Sequence, residues 1–147
     1  MIPEPGQPIQ AAVYDKRTES ALVFGGRKLW RYRYNSNEHR FHLDNGYPKD
    51  YSHRQDFPHN PEAAFLDFVG WTVILEDGYF WEFSEDQDKN KKYKLADYFP
   101  NAPQGEIDSA TMHGNTIFMF QGQYYYTRTG NDPMVGPISK DKRWMGC

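Results

Sequence analysis

The sequence predicts an all-β protein built from three repeated units, each folding as four short antiparallel strands. Three observations predict it. Aromatic residues make up 17% of the 147 residues, alongside 12 Gly and 10 Pro, and that mixture favours short strands and frequent turns over long helices. Runs of four to five β-branched and aromatic residues recur between Gly and Asp turn signals such as Asp77-Gly78 and His113-Gly114-Asn115. Finally, the same features return three times in the same order.

The repeat is read from three motifs. Small-residue strand starts occur at Ile9-Gln10-Ala11-Ala12-Val13, Pro61-Glu62-Ala63-Ala64-Phe65 and Ile107-Asp108-Ser109-Ala110-Thr111. A turn with large residues after it follows each one, at Phe24-Gly25-Gly26-Arg27-Lys28-Leu29-Trp30, Leu75-Glu76-Asp77-Gly78-Tyr79-Phe80-Trp81 and Phe120-Gln121-Gly122-Gln123-Tyr124-Tyr125-Tyr126. Closing segments complete the units: Gly46-Tyr47-Pro48 with Asp56-Phe57-Pro58, Asp97-Tyr98-Phe99-Pro100, and Val135-Gly136-Pro137 alone in the third. Three features in three copies define units over 9–60, 61–106 and 107–147, after a Pro-rich linker at 1–8.

Within the units, Ala21 to Phe24, Thr72 to Leu75 and Thr116 to Phe120 read as second strands. Leu29 to Tyr34, Tyr79 to Phe83 and Tyr124 to Arg128 read as third strands, and Phe41 to Leu43, Lys91 to Lys94 and Met134 to Ile138 as weaker fourth ones. Lys49 to Asp56 is expected to form a short surface helix, ended by Phe57-Pro58. Four short antiparallel strands per unit of about 45 to 50 residues is the signature of a propeller blade. The Ala pairs suit that geometry, because innermost strands crowd an axis where only small side chains pack.

Several functions are argued against by the same sequence. No apolar run approaches the roughly 20 residues of a membrane helix. A formal charge of −3 with no clustered basic stripe disfavours a general nucleic-acid binder. The start of the chain, Met1 to Pro8, lacks the basic and apolar regions of a signal peptide. Catalytic signatures are missing too: there is no His-Glu-x-x-His, no Gly-x-Ser-x-Gly elbow and no phosphate-binding Gly loop. His39-x-x-His42 lacks a third ligand and reads as a pair of surface histidines near a turn. Asp86-x-Asp88-x-Asn90 opens like a calcium loop, but Lys91 stands where Gly is needed, so it reads as a charged turn. The single cysteine, Cys147, forms neither a disulfide framework nor a zinc site by itself, and its thiol points to a partner elsewhere.

The repeats resemble a known family. The starts Gln10-Ala11-Ala12, Glu62-Ala63-Ala64 and Asp108-Ser109-Ala110 resemble the Asp-Ala-Ala opening of hemopexin repeats. Trp30-Arg31-Tyr32 and Trp81-Glu82-Phe83 resemble that family's Tyr-Trp-Arg-Tyr segment, and Gly46-Tyr47-Pro48-Lys49 with Asp56-Phe57-Pro58 its Gly-Tyr-Pro-Lys…Asp-Phe-Pro stretch. Arg143-Trp144-Met145-Gly146-Cys147 is similar to the end of the fourth blade in matrix metalloproteinases, where the cysteine bonds to one just before the first blade. The resemblance implies a hemopexin-like β-propeller, with these three blades matching the second to fourth of a four-bladed architecture. Three blades alone leave sheet edges and an aromatic core open, so the expectation is a fragment, a split product, or a chain that pairs with itself.

The resemblance also implies a site. In the family, main-chain carbonyls of the opening residue of each blade hold an axial calcium or sodium, which places Gln10, Glu62 and Asp108 around a cation. A second axial ion, with chloride among the options, falls to Ala12, Ala64 and Ala110. Carbonyl ligation survives side-chain replacement, and the role is structural. Haem is the disfavoured alternative, resting on His39, His42, His53, His59 and His113. Trp30, Trp81, Phe120 and Tyr126 are expected to fill the space between blades, while Tyr51 or Tyr125, if exposed, would anchor a partner.

The implied function is non-catalytic recognition in a secreted, matrix-metalloproteinase-like protein. Its partners would be extracellular matrix proteins of the collagen type or tissue inhibitors. The alternatives are a haem- or small-ligand-binding protein on the same blades, and a free-standing adhesive protein that forms a homodimer. The disulfide logic suggests an extracellular setting.

Overall fold

A computed structural model describes residues 8–143. The last four residues, Trp144 to Cys147, and the first seven lie outside the described residues, and with them most of the terminal motif and of the linker.

Among the described residues the strands form three antiparallel sheets in chain order. Blade I comprises β1 (Ala11–Asp15), β2 (Ser20–Gly25), β3 (Lys28–Asn35) and β4 (Arg40–Leu43), with β5 (Lys49–Asp50) added beside β3. Blade II runs β6 (Ala63–Leu66), β7 (Thr72–Glu76), β8 (Tyr79–Ser84) and β9 (Lys89–Lys94), followed by the single turn α1 (Leu95–Tyr98). Blade III runs β10 (Ser109–His113), β11 (Thr116–Gln121), β12 (Tyr124–Thr129) and β13 (Val135–Ser139), followed by α2 (Lys140–Arg143). The fold is all-β, as the repeat predicts.

Each sheet begins with its small-residue strand, and β6 packs against both β1 and β10. The three first strands therefore stand side by side around one axis, and the later strands radiate outwards. Ala11, Ala63 and Ala64 are buried there, whereas Ala12 is exposed. Side-chain alternation along the strands then builds two cores. Leu22, Phe24, Leu29 and Phe57 of unit I meet Ala64, Ile74, Trp81 and Phe83 of blade II. The other side of blade II, through Phe65, Val73, Leu75 and Phe80, meets Ile107, Ile117, Met119 and Met134 of unit III. Blade II is buried on both sides, which is why its strands do not alternate cleanly between polar and apolar residues.

The interblade role expected for four aromatics holds for two of them. Trp81 lies in the core between blades I and II, and Tyr126 packs against the core between II and III. Trp30 and Phe120 instead occupy the opposite side of their strands from Leu29 and Met119, because neighbouring residues of a strand face opposite ways.

Two further expectations are corrected. Lys49 to Asp56 is not a helix: Lys49 and Asp50 pair with Leu29 and Lys28. Asp50 then turns the chain by accepting the Ser52 N–H, and Tyr51 is drawn onto Phe57, stacked at 4.1 Å. Pro58 bars helical backbone at Phe57, so the run is too short for a stable helix. Tyr125 is buried, and Tyr51 is half-buried against Phe57, so neither is an exposed anchor.

Candidate functional site at the axis

The local chemistry at the start of each first strand repeats three times. The second and third strands of every blade are joined by a two-residue turn: Gly26-Arg27, Asp77-Gly78 and Gly122-Gln123. In the first two turns both residues have positive φ, as a hairpin turn matched to strand twist requires. The residue opening the first strand reaches back to that turn. Gln10 Oε1 accepts the Gly26 N–H at 3.2 Å, Glu62 Oε1 accepts the Asp77 N–H at 3.0 Å, and Asp108 Oδ2 accepts the Gly122 N–H at 2.7 Å. An acceptor at the end of a short side chain is what this position needs. Gln, Glu and Asp all supply one, which accounts physically for the variation among the three starts.

The same residues also tie consecutive units together. Glu62 Oε2 accepts the Ile107 N–H at 3.0 Å, at the entry to blade III. Gln10 Nε2 donates to Asn60 Oδ1 at the entry to blade II. A second tier comes from the last residue of the second strand. Glu76 accepts the N–H groups of His59 and Asn60, and Gln121 donates to the carbonyls of Gln104 and Glu106. Blade I has Gly25 at this position, and a Cβ there would lie 2.4 Å from the Pro8 carbonyl oxygen. The entering chain passes too close for any side chain.

These clasps frame a cleft of about 780 Å³, lined by Gln10, Glu62, Asp108, Asn60, Glu76 and Asp77 among others, with Tyr79, Trp81 and Lys92 on one wall. All three residues expected around the axial cation meet in it. At the other end of the first strands a second cleft of about 690 Å³ is lined by Ala12, Ala64 and Ala110, the three residues expected around the second ion. Phe68 and Val69 flank that end. Asp67 supports their turn by accepting the N–H groups of Gly70 and Trp71, each at 2.8 Å, while burial pushes its carboxyl pKa up.

Among the described residues, no three His, Cys, Asp or Glu side chains gather as a metal cluster. The axial residues spend their side chains on turn amides, so a cation at the first cleft would rely on main-chain oxygens, a donor set that suits a hard ion. The histidines are scattered. His42 pairs with Glu38 at 2.9 Å, His39 Nδ1 meets the Tyr34 hydroxyl at 3.5 Å, and His59 Nε2 meets the Arg54 carbonyl at 2.9 Å. The Asp86–Asn90 segment makes the turn after β8 and then the first two residues of β9, with Asp86 held by Ser84 and Arg17.

The second-tier residues Glu76 and Gln121 escape sequence reading, although their shared position just before each turn is a signal that could find them. The expectation of no clustered basic stripe is corrected by β9, where four of six residues are Lys and the whole-chain charge conceals them.

Three antiparallel sheets set around an axis of small-residue strands define a propeller-like repeat protein. A hemopexin family model matches residues 9–59. Matrix metalloproteinase-C of Caenorhabditis elegans is 22% identical over 149 residues, covering all of this chain and 25% of that protein. The chain thus spans about a quarter of the length of that relative. Solved structures share the fold. A plant lectin with two metal binding sites from Cicer arietinum superimposes with a TM-score of 0.75 at 18% identity, over 93% of this chain and 69% of that one. The seed albumin LS24 of Lathyrus sativus gives 0.73 at 13% identity, over 93% and 69%. The hemopexin fold protein CP4 from cow pea gives 0.66 at 16%, over 81% and 59%. Residues 9–59 thus match hemopexin repeats, the chain has distant similarity to a matrix metalloproteinase over its whole length, and its three sheets share the fold of hemopexin-fold proteins.

Proposed function

We propose that this chain is a non-catalytic recognition domain of a secreted, matrix-metalloproteinase-like protein, binding collagen-type matrix proteins or protein inhibitors. The observation that carries the reading is the similarity to matrix metalloproteinase-C along the entire chain. Exposed large side chains on the strands of blades I and III, such as Tyr34, Phe41 and Tyr124, suit protein partners. Hydrolysis would belong to a separate zinc domain. The test is surface plasmon resonance of the chain over immobilised triple-helical collagen and over a tissue inhibitor of metalloproteinases. Saturable binding to either is expected; failure of both would overturn the reading.

The axial ion is part of the same proposal. A calcium or sodium ion would sit on the main-chain oxygens of Gln10, Glu62 and Asp108, and a second ion beside Ala12, Ala64 and Ala110. The convergence of each trio on one cleft supports this. Its role would be to fasten three first strands at one point. Calcium should raise the melting temperature and a chelator lower it, and an Asp108→Asn variant should keep that response. A chain indifferent to calcium, sodium and chelator would sink the ion. Haem binding remains the alternative, favoured only if a titration produces a Soret shift that His→Ala changes abolish.

A further inference from the structure

The outermost strand of the central blade carries the densest positive charge among the described residues. Strand β9 reads Lys-Asn-Lys-Lys-Tyr-Lys, and its sheet ends there, paired to β8 alone. At about 3.4 Å per residue it spans about 17 Å. Lys91, Lys92 and Lys94 are exposed. Lys89 is the one with a carboxylate partner among the described residues: it meets Glu82 at 2.5 Å, and that hydrogen bond raises its pKa.

We propose that β9 is a docking strip for a linear, sulfated polysaccharide. Four features point to this chemistry. The cations lie in a row on an exposed edge, with side chains alternating to both sides of the strand, so they match a string of anions better than one phosphate in a pocket. All four are lysines, compact point charges that do not demand the bidentate geometry of arginine. The strip is bracketed by Asp88 before it and Asp97 after it, which confines contact to the strand. The neighbouring rings already have partners. Lys92 Nζ sits 4.2 Å from the Tyr79 ring centre and 5.1 Å from that of Trp81. Tyr93 is stacked on Phe80 at 5.0 Å and meets the edge of Tyr98 at 4.9 Å. Single-stranded nucleic acid binds through a run of open aromatic platforms, whereas here Trp81 is buried, Tyr93 is half-buried, and the more exposed Tyr79 and Tyr98 each already contact a neighbour. The strip lies on the outermost strand of blade II, with Lys92 also reaching the wall of the first cleft, and does not depend on the metalloproteinase reading.

The test is retention of the full chain on immobilised heparin in a sodium chloride gradient. Lys91→Gln/Lys92→Gln/Lys94→Gln is compared with Lys16→Gln/Lys28→Gln/Arg40→Gln, which removes the same charge elsewhere. The β9 triple should lose retention at about 0.15 M salt, with a salt dependence weaker by about three ions. The control triple should elute with the native chain. Equal loss in both triples would show a net-charge effect and overturn the strip. So would unchanged retention accompanied by self-association, which would leave the lysines as guards of a sheet edge. Tighter binding of a single-stranded oligonucleotide of equal charge would overturn the choice of polymer. A second measurement needs no variant: bound heparin should shield Lys91, Lys92 and Lys94, but not Lys16, from amine acetylation read by mass spectrometry. Equal labelling of all four would also overturn it.

Discussion

Tyr47 donates its hydroxyl to the Glu85 carboxylate, with contacts of 2.6 and 2.7 Å to its two oxygens, and this bond joins the end of blade I to the turn leaving β8. Lys49 adds a contact at 2.6 Å and Arg31 one at 3.7 Å, so one carboxylate gathers three groups of the neighbouring blade. Arg31 also lies 4.6 Å over the Tyr47 ring and bonds Asp44 at 2.7 Å. Burial and then the hydrogen bond to Glu85 push the Tyr47 pKa up, which keeps it a donor at any ordinary pH.

Removing that hydroxyl should loosen the junction of blades I and II. Tyr47→Phe should cost about 1 to 2 kcal/mol in urea unfolding, the range for a half-buried bond to a charged acceptor. A double-mutant cycle with Glu85→Ala should show the two changes to be non-additive. Additive costs would mean that the bond carries no coupling.

The clasp made by Glu62 serves two backbone amides, Asp77 in its own blade and Ile107 at the next. Glu62→Ala should therefore destabilise by about 1 to 3 kcal/mol. Glu62→Gln keeps one acceptor oxygen and should cost roughly half as much. Thermal melts of the two variants check the order.

Gly25 is required by proximity. Gly25→Ala brings a methyl carbon against the Pro8 carbonyl and should cost about 1 to 3 kcal/mol, or displace the chain entering β1. Faster hydrogen exchange at the Gln10 N–H, which is bonded to the Phe24 carbonyl, would report the displacement.

Met119 is fully buried between blades II and III. Met119→Ala should cost about 2 to 5 kcal/mol, with lower values if the neighbouring side chains collapse into the space. Chemical denaturation gives the number directly.

Asp67 provides a pH signature. Burial raises its pKa in the folded chain, although the N–H groups of Trp71 and Gly70 oppose the shift. The folded state then holds this proton more tightly than the unfolded one. As pH falls through the raised folded pKa towards the unfolded value near 3.9, this residue contributes increasing relative stability. At neutral pH its charge is a cost. Asp67→Asn should thus improve the melting temperature relative to the native chain more at pH 7 than at pH 4. A constant difference across that range would contradict the shift.

Much of this molecule was legible from residues alone. The hairpin turns Gly26-Arg27 and Asp77-Gly78 announce themselves through chemistry, because positive φ favours Gly, Asp and few others. Ala11, Ala63 and Ala64 mark the axis because bulk is excluded there. The recurrence of such local rules at a near-constant spacing made three units visible, and the resemblance of their starts to hemopexin repeats singled out the trio Gln10, Glu62 and Asp108. Lys49 to Asp56 departs from the expected helix because the pull of Phe57 on Tyr51 and the pairing with Lys28 and Leu29 act through space.

The sequence by itself determined the strands, their turns and their grouping into blades, since these follow from alternation and backbone preference within about fifty residues. Only the tertiary structure decided which face each blade buries and where the opening side chains go. Trp30 and Trp81 occupy matching places in their repeats, yet they lie on opposite sides relative to the core between blades I and II. Glu62 and Ile107 are 45 residues apart and share a hydrogen bond. Such contacts exist because first strands from successive blades are forced together at one axis, and no periodicity along a single blade specifies how neighbouring blades meet there.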